Sequence, residues 1–559
     1  MENKNVIIAF VLSTVIIFVW FYWLMPLQKP APQPENKTEA IEKKISSPVS
    51  GVTPNPSSTA GPIQPTPVQS ATAQAKTKEI TIETPLYKAV LSNAGPAIRS
   101  FQLKKYRQTM DAQSPLVELI EFKNEQEQPL VIAFIPATAT TPVRAVYELD
   151  APENIIQLEP GQAPRTLNFR STDANGLTVE QAFTFYPDKY PIDVHVNVRN
   201  AGPMPISGVL EATLSNRLPK AQSGYTPFTG TAYLANGKLE QVEVKKLTKA
   251  EQSFSGKIGW LAYENGYFIN ALIPAEQTEA HYRGKLLDTD ILQASYTGSK
   301  ITIANNADAG QDFILYLGPR ALDILKSLDK KLELAVDFGW FDIIAKPCWY
   351  FLRFIHKYIP NYGLAIIILT VLIKILFWPL TFKSYKSMKE MQKLQPHLTK
   401  LREKFKDNRE QMNKEMMNLY RTYKINPLGG CLPMVIQLPV FVALYNLLQN
   451  SIELRHAPFM LWIQDLAAPE RLFTFPFSIP YMAPPYGVPI LTLLMGATMF
   501  IQQKMTPTPG DPMQAKIMLF MPIMFTFFFI NFPSGLVLYW LINNILSIGQ
   551  QYQIMKKTA

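Results

Sequence analysis

The chain has 559 residues, of which 47% are hydrophobic and 18% charged, with a formal net charge of +10. Soluble domains are usually about a quarter charged, so the shortfall points to a membrane protein. Two distant cysteines, Cys348 and Cys431, and five scattered histidines argue against a disulfide framework and, with no CxxC or HExxH spacing, against a zinc enzyme.

Val6 to Leu24 is a run of 19 residues without a charge. At 1.5 Å per residue it covers the ~30 Å hydrocarbon core. It ends in the aromatics Trp20 to Trp23 and lacks a small-residue cleavage site, so residues 1–25 read as an uncleaved signal anchor. Residues 26–78 hold ten prolines and no aromatic residue. Such a segment buries too little apolar surface to offset its ordering entropy, and it reads as a disordered linker.

Residues 79–334 change character. Short runs such as EITIE, LVIAFI, IDVHVNVRN and FILYLG alternate apolar and polar residues between Gly, Asn, Pro and Asp. That period of two predicts an antiparallel β-sandwich. It contains no nucleophile elbow, P-loop or dinucleotide fingerprint, and carboxylates such as Glu264 and Asp288 suit any sandwich surface. Residues 335–361 close the domain and continue as a helix over 340–359. There Asp342, Lys346, Arg353 and Lys357 share one face of an otherwise aromatic body, which predicts a helix lying in the membrane interface.

Five further apolar segments fill residues 362–551: Tyr362–Pro379, Leu428–Leu448, Val488–Gln502, Ile517–Asn531 and Pro533–Gln550. Some are short for a bilayer, which local thinning of the lipid can meet. The loop 382–424 carries 12 Lys/Arg against 5 Asp/Glu, a net of +7, whereas 449–487 carries two Arg against three acids, a net of −1. The positive-inside rule puts the basic loop, both termini and the short tail 552–559 in the cytoplasm, and the β-domain outside. The basic loop itself reads as a helical hairpin, Lys383–Lys406 then Arg409–Lys424.

Across the five segments there is no Asp, Glu, Arg or His, and one Lys, Lys374. A cation near a helix centre costs about 2.5–3.5 kcal/mol on insertion scales. Snorkelling past Pro379 to the interface is one way to offset this, and a wet groove is the other. Thr370 lies one turn before Lys374, Gln437 sits mid-segment, and the last segment carries Tyr539, Trp540, Asn543, Asn544 and Ser547. Amides in lipid need partners, so these polar groups read as interhelical hydrogen bonds or as the lining of a hydrophilic groove. Sixteen of the 20 methionines follow residue 380. In the basic hairpin Met388, Met391, Met412, Met416 and Met417 are candidates for contact with varied apolar clients.

The runs KILFWPLTFKSYKSMKEMQKLQPHL, NPLGGCLPMVIQLPVFVALY and FPSGLVLYW, with the pair DPMQ and KIM, closely resemble the YidC insertases of the Oxa/Alb superfamily, in their Gram-negative form. The resemblance implies an α-helical membrane bundle, an N-terminal anchor plus a five-helix core, carrying a large periplasmic antiparallel β-sandwich like that of sugar mutarotases. It implies a bacterial inner-membrane insertase and chaperone, not an enzyme, with no cofactor and no metal. Its hydrophilic groove would open to cytoplasm and lipid and close to the periplasm. The implied partners are nascent membrane proteins, SecYEG and the SecDF accessory subunits, the ribosome and signal-recognition system, and membrane lipids. The signature cation maps onto Lys374, where Arg is usual. The groove Thr, the Gln and the aromatic pair map onto Thr370, Gln437, Tyr539 and Trp540. Lysine keeps the charge but loses the five-donor fork of arginine. Two other readings stand beside this one. A secondary transporter would use intramembrane carboxylates or inverted repeats, and neither is evident. A tethered carbohydrate enzyme would place its site in residues 79–334.

Overall fold

Alternation at period two organises the first half of the chain. In the strand Pro191–Asn200, Ile192, Val194, Val196 and Val198 are buried while Asp193, His195 and Arg199 face out. Val194 pairs with Phe183 on one neighbouring strand and Phe313 on the other, and all three are buried. Such cross-strand rows are the unit from which a sheet gains stability.

The computed structural model describes residues 78–557 except 94, 96, 121–128, 139–146, 152, 219–227, 289, 406–407, 424–431 and 507–511. The expected anchor, the linker up to residue 77 and Cys431 lie outside the described residues. The described strands form a five-stranded sheet, a fourteen-stranded sheet and a two-stranded hairpin. The large sheet is continuous because the strand Gln252–Asn265 serves two layers. Gln252 to Lys257 pair with Gly284 to Glu279, and Ile258 to Asn265 pair with Ala235 to Thr229. Gly256 and Gly259 stand at the corner, where a Cβ on Gly259 would meet Leu234 Cδ2 at 2.6 Å. Trp260, Tyr282, Tyr296 and Phe313 fill the interior. The sandwich matches the expected class, with one departure: the strand Ile155–Gln157 joins Glu79–Glu83 in parallel.

Helices follow. They are α1 (Asp342–Tyr358), α2 (Tyr362–Leu376), α3 (Trp378–Lys393), α4 (Gln395–Lys404), α5 (Arg409–Thr422), α6 (Leu432–Asn450), α7 (Ile490–Met505), α8 (Pro512–Phe529) and α9 (Ser534–Lys557). The first apolar segment is not one straight helix, because the axis turns by 63° between α2 and α3. Pro379, in the first turn of α3, supplies a cause: it lacks the N–H that a continuous helix would donate to the Ile375 carbonyl. Thr381 Oγ1 donates toward the carbonyls of Phe377 and Trp378 at 3.0 and 3.1 Å. The basic hairpin also breaks, at Leu394 just before Pro396, so its first arm is α3 plus α4. The last helix runs on through most of the expected tail. Among the described residues no single helix is long and apolar enough to cross a membrane, and the bent pair α2 and α3 meets length and composition only together.

Helix α1 has two apolar faces. Ala345, Cys348, Trp349 and Leu352 are buried, whereas Ile343, Tyr350, Phe354 and Tyr358 are exposed. Its charged stripe pairs locally, Lys346 with Asp342 at 2.6 Å, and reaches the sandwich through Arg353 and Asp323 at 2.8 Å. A second tie is buried. Arg320, just after the last sandwich strand, donates through Nη1 to Glu264 Oε2 and through Nη2 to Asn450 Oδ1 at the end of α6, both at 2.9 Å. One guanidinium thus satisfies the sandwich and the helix together.

Removing Arg320 leaves the Glu264 carboxylate buried without its cation, a class of change that costs about 3–5 kcal/mol. Arg320→Ala should therefore lower the urea midpoint of the purified full-length protein more than Glu264→Gln does. A midpoint for Arg320→Ala equal to that of the unmodified protein would show that the pair carries no such burden.

Candidate functional site: a polar seam around Lys374

Lys374 occupies the last turn of α2, beside the break that Pro379 imposes. Its side chain turns inward and is only 9% exposed. Nζ donates to Ser547 Oγ on α9 at 2.7 Å. Ser547 in turn donates to the Asn543 carbonyl of its own helix at 2.7 Å. Among the described residues no carboxylate lies within salt-bridge distance of Nζ. A lysine end group carries three donors, and hydroxyl oxygen satisfies one of them here. The side chain is thus buried against α9.

One turn toward the start of α9, Asn543 and Tyr539 present their side chains to α6. Gln437 Nε2 donates to Tyr539 Oη at 3.0 Å and to Asn543 Oδ1 at 2.9 Å. Residues 539, 543 and 547 recur every four positions, so they share one helical stripe. On the far side of Lys374, Gln550 Nε2 donates to Thr381 Oγ1 at 2.7 Å. The same threonine that stabilises the α2–α3 break therefore ties that break to α9. A pocket opens among these groups. Its polar lining is Lys374, Thr381, Gln437 and Asn543, and its walls are Ile373, Phe377, Leu380, Ile436 and Val440. A cation at the edge of an apolar-walled pocket holds a neutral polar ligand weakly and a carboxylate strongly, because only the carboxylate compensates its charge.

The structure divides the eight expected groove residues. Lys374, Gln437, Tyr539, Asn543 and Ser547 come together. Thr370 is fully buried, but its hydroxyl donates to the Ile366 carbonyl of its own helix at 2.7 Å. Asn544 turns to α7 and donates to Thr498 Oγ1 at 3.2 Å. Trp540 packs edge-on against Phe441 with centroids 4.8 Å apart and lies 5.2 Å from Phe529. Adjacent helical residues point about 100° apart, and here Tyr539 meets Gln437 while Trp540 meets the ring of Phe441. Thr381 and Gln550 were not anticipated. The signal for Thr381 was the hydroxyl two residues after a helix-breaking proline.

The hairpin methionines are also divided. Met391 is buried with Leu394 and Leu398, and Met416, Leu419 and Tyr420 pack against that cluster. Met388 is buried, Met412 half-buried and Met417 exposed. The first and second arms of the hairpin therefore use methionine to hold each other, and Met417 is the thioether open to a partner.

The opposite end of the helices is tied off by the loop 451–489. Glu470 Oε1 accepts from the backbone N–H groups of Leu491 and Thr492 at 2.7 and 3.3 Å, capping α7, and its Oε2 accepts from Trp462 Nε1 at 2.8 Å. The first N–H groups of α9 find loop carbonyls, Ser534 to Ala468 and Gly535 to Leu466. Both arrangements satisfy donors that a helix start leaves open. His456 lies in the same loop with φ at +59°, its N–H donating to Asp465 Oδ1 at 3.1 Å. Burial, and then the neighbouring Arg455, pull the His456 imidazole down to about 4. Among the described residues no group of three or more His, Cys, Asp or Glu is placed to hold a metal ion.

Two outcomes follow from this geometry. A buried, unneutralised cation carries a desolvation penalty of several kcal/mol that an apolar side chain of similar length does not. Lys374→Met should therefore raise the thermal midpoint of the full-length protein in detergent, and Ser547→Ala should lower it. The reverse order would mean that the seam already neutralises its lysine. For His456, the unfolded chain takes up a proton near pH 6.5 and the folded chain only near 4. Stability is therefore lost as pH falls across that window. His456→Asn keeps a side chain that tolerates positive φ, and the drop in thermal midpoint between pH 7 and 5 should shrink in that variant.

Comparison with known proteins places the chain. Residues 79–351 match the family described as the YidC periplasmic domain, and residues 354–559 match the family described as 60Kd inner membrane protein. A protein of Syntrophobacter fumaroxidans named membrane protein insertase YidC is 41% identical over 558 residues, covering 99% of both chains. One of the same name from Syntrophus aciditrophicus is 41% identical over 565 residues, covering 99% of this chain and 100% of that one. A solved structure described as an active YidC insertase with its first transmembrane domain resolved covers 86% of this chain and 93% of its own, at 17% identity and a TM-score of 0.36.

Proposed function

The chain belongs to the YidC family of membrane protein insertases, and on that premise we propose that the seam around Lys374 is where it receives a client. The observation that carries this reading is a buried ammonium whose near neighbours are hydroxyl and amide rather than carboxylate. The sequence supplies a second support, since no other charge falls in the five apolar segments.

The client is a nascent inner-membrane protein that presents an acidic hydrophilic segment beside an apolar one. Its carboxylate takes the Lys374 ammonium from Ser547, turning a neutral hydrogen bond into a charge-assisted one. Gln437, Tyr539 and Asn543 offer amide and hydroxyl groups to the following polar backbone, so the segment is not stripped of partners as it leaves water. The apolar segment partitions into lipid alongside α9, past Trp540. A membrane potential adds about 2.3 kcal/mol per charge for each 100 mV.

Several finer points belong to the same reading. The sandwich lies in the periplasm of an inner membrane, the hairpin and both termini in the cytoplasm. The loop 451–489 closes the outer end. The +7 hairpin faces the ribosome, the signal-recognition system and anionic lipid, with Met417 exposed to apolar segments. SecYEG and the SecDF accessory subunits act with it on larger clients, and it works as an insertase and chaperone without chemical catalysis.

Lys374→Ala should reduce insertion of a small, Sec-independent, acidic-tailed client by at least about tenfold, since a hydrogen bond to a charged group contributes about 1.5–3 kcal/mol. Lys374→Arg should retain most of it. Protease protection of the client's tail in cells depleted of the native insertase is the measurement. Full insertion by the alanine variant would remove Lys374 from the mechanism.

A further inference from the structure

The loop 451–489 carries a feature that its closing role does not use. From Leu472 to Gln503 the chain has no charged residue. Its first part folds back as a hairpin in which Leu472–Thr474 pair with Gly487–Val488. The hairpin is held firmly. Phe475 donates its N–H to the Tyr486 carbonyl at 2.7 Å, and Arg471 Nε donates to the Pro485 carbonyl at 3.0 Å. Asn531, just past α8, clasps the returning arm: its Oδ1 accepts from Ala483 N at 2.7 Å and its Nδ2 donates to the Tyr481 carbonyl at 2.8 Å.

A firmly held hairpin would ordinarily turn its aromatics inward. This one does the opposite. Phe473 is 72% exposed, Phe477 60% and Tyr481 84%. A contiguous exposed apolar patch marks a surface that meets something other than water. The patch is continuous with a second one. On α8, Phe520, Ile523 and Phe527 are all exposed and recur at spacings of three and four, so they form one stripe. The Tyr481 ring stands 6.0 Å from the ring of Phe527, the last member of that stripe. The hairpin thus meets the stripe at Tyr481 and Phe527, at the end of α8.

We infer that the hairpin 472–488 is a lipid anchor, whose aromatics Phe473, Phe477 and Tyr481 enter the interfacial region of the outer leaflet. The inference rests on the reading of α8 as a lipid-facing helix, since the stripe supplies the continuity. Aromatic rings with a polar atom, as in Tyr481, favour the headgroup level of a bilayer. An uncharged hairpin must bind by apolar partition rather than by attraction to anionic headgroups. The anchor also has a mechanical consequence. Through Asn531 and Arg471 it sets the depth of the α7–α8 end, and through Glu470 it sets the start of α7.

The test uses the full-length protein in vesicles of phosphatidylethanolamine and phosphatidylglycerol. A photoreactive benzoyl-phenylalanine replaces Phe477 in one sample and Phe520 in another, and phospholipid adducts are read by mass spectrometry. The expected result is lipid adducts at both positions, with yields within about threefold of each other and unchanged in 0.5 M salt, where charge attraction is screened. Adducts at 520 but not at 477 would overturn the anchor while leaving the lipid-facing reading of α8 intact. Adducts at neither would overturn that reading and the anchor with it. Crosslinks from 477 only to protein, a second copy included, would show that the hairpin is a protein-binding surface and overturn the proposal. A yield at 477 that collapses in salt would overturn its apolar basis.

Discussion

An ammonium group buried among helices without a carboxylate beside it is the constraint around which the second half of this chain is arranged. Desolvating a charge is expensive, and a single hydroxyl acceptor offsets only part of it. Other features keep Lys374 in place. Pro379 ends α2 just beyond it, so the side chain cannot simply continue along a straight helix toward the interface. Thr381 adds a hydroxyl donor to the Phe377 carbonyl at the break and is held by Gln550 of α9. Asn543 uses its carbonyl to orient Ser547 and its side chain to engage Gln437. The charge is held at the edge of a pocket lined by amide and hydroxyl groups.

The opposite end is built on a different principle. Helix starts leave N–H groups without partners, and here the loop 451–489 supplies them from Glu470, Leu466 and Ala468. The result is a tied-off end opposite an end where Lys374 borders a pocket. The sandwich attaches to the tied-off side through Arg320 and Asn450, and through Arg455, whose Nη2 reaches the Arg107 carbonyl at 2.8 Å.

Much of this was legible in the chain itself. The sandwich was visible because its strands alternate cleanly, as in Pro191–Asn200. Lys374 stood out because it is the lone charge in five apolar segments. The motif runs around Pro379, Pro433 and Ser534 identified the family. What could not be read was direction. Thr370 lies on the Lys374 face of the same helix, yet its hydroxyl returns to its own backbone, as threonine in a helix readily does. Asn543 and Asn544 are chemically alike and adjacent, and one faces Gln437 while the other faces Thr498. The methionines of the basic hairpin share a residue type but not a role, since Met391 is core and Met417 is surface.

Composition and period alone settled the sandwich layers and the one charge that needs explaining, because these depend on what each residue prefers to face. Tertiary structure alone decided which polar groups meet, because that depends on the rotation of each helix about its axis and on the 63° turn between α2 and α3. One residue along a helix swings a side chain by about 100°. A pattern that locates a polar stripe to within a turn therefore leaves open whether a given member joins the seam, the aromatic cluster or its own backbone.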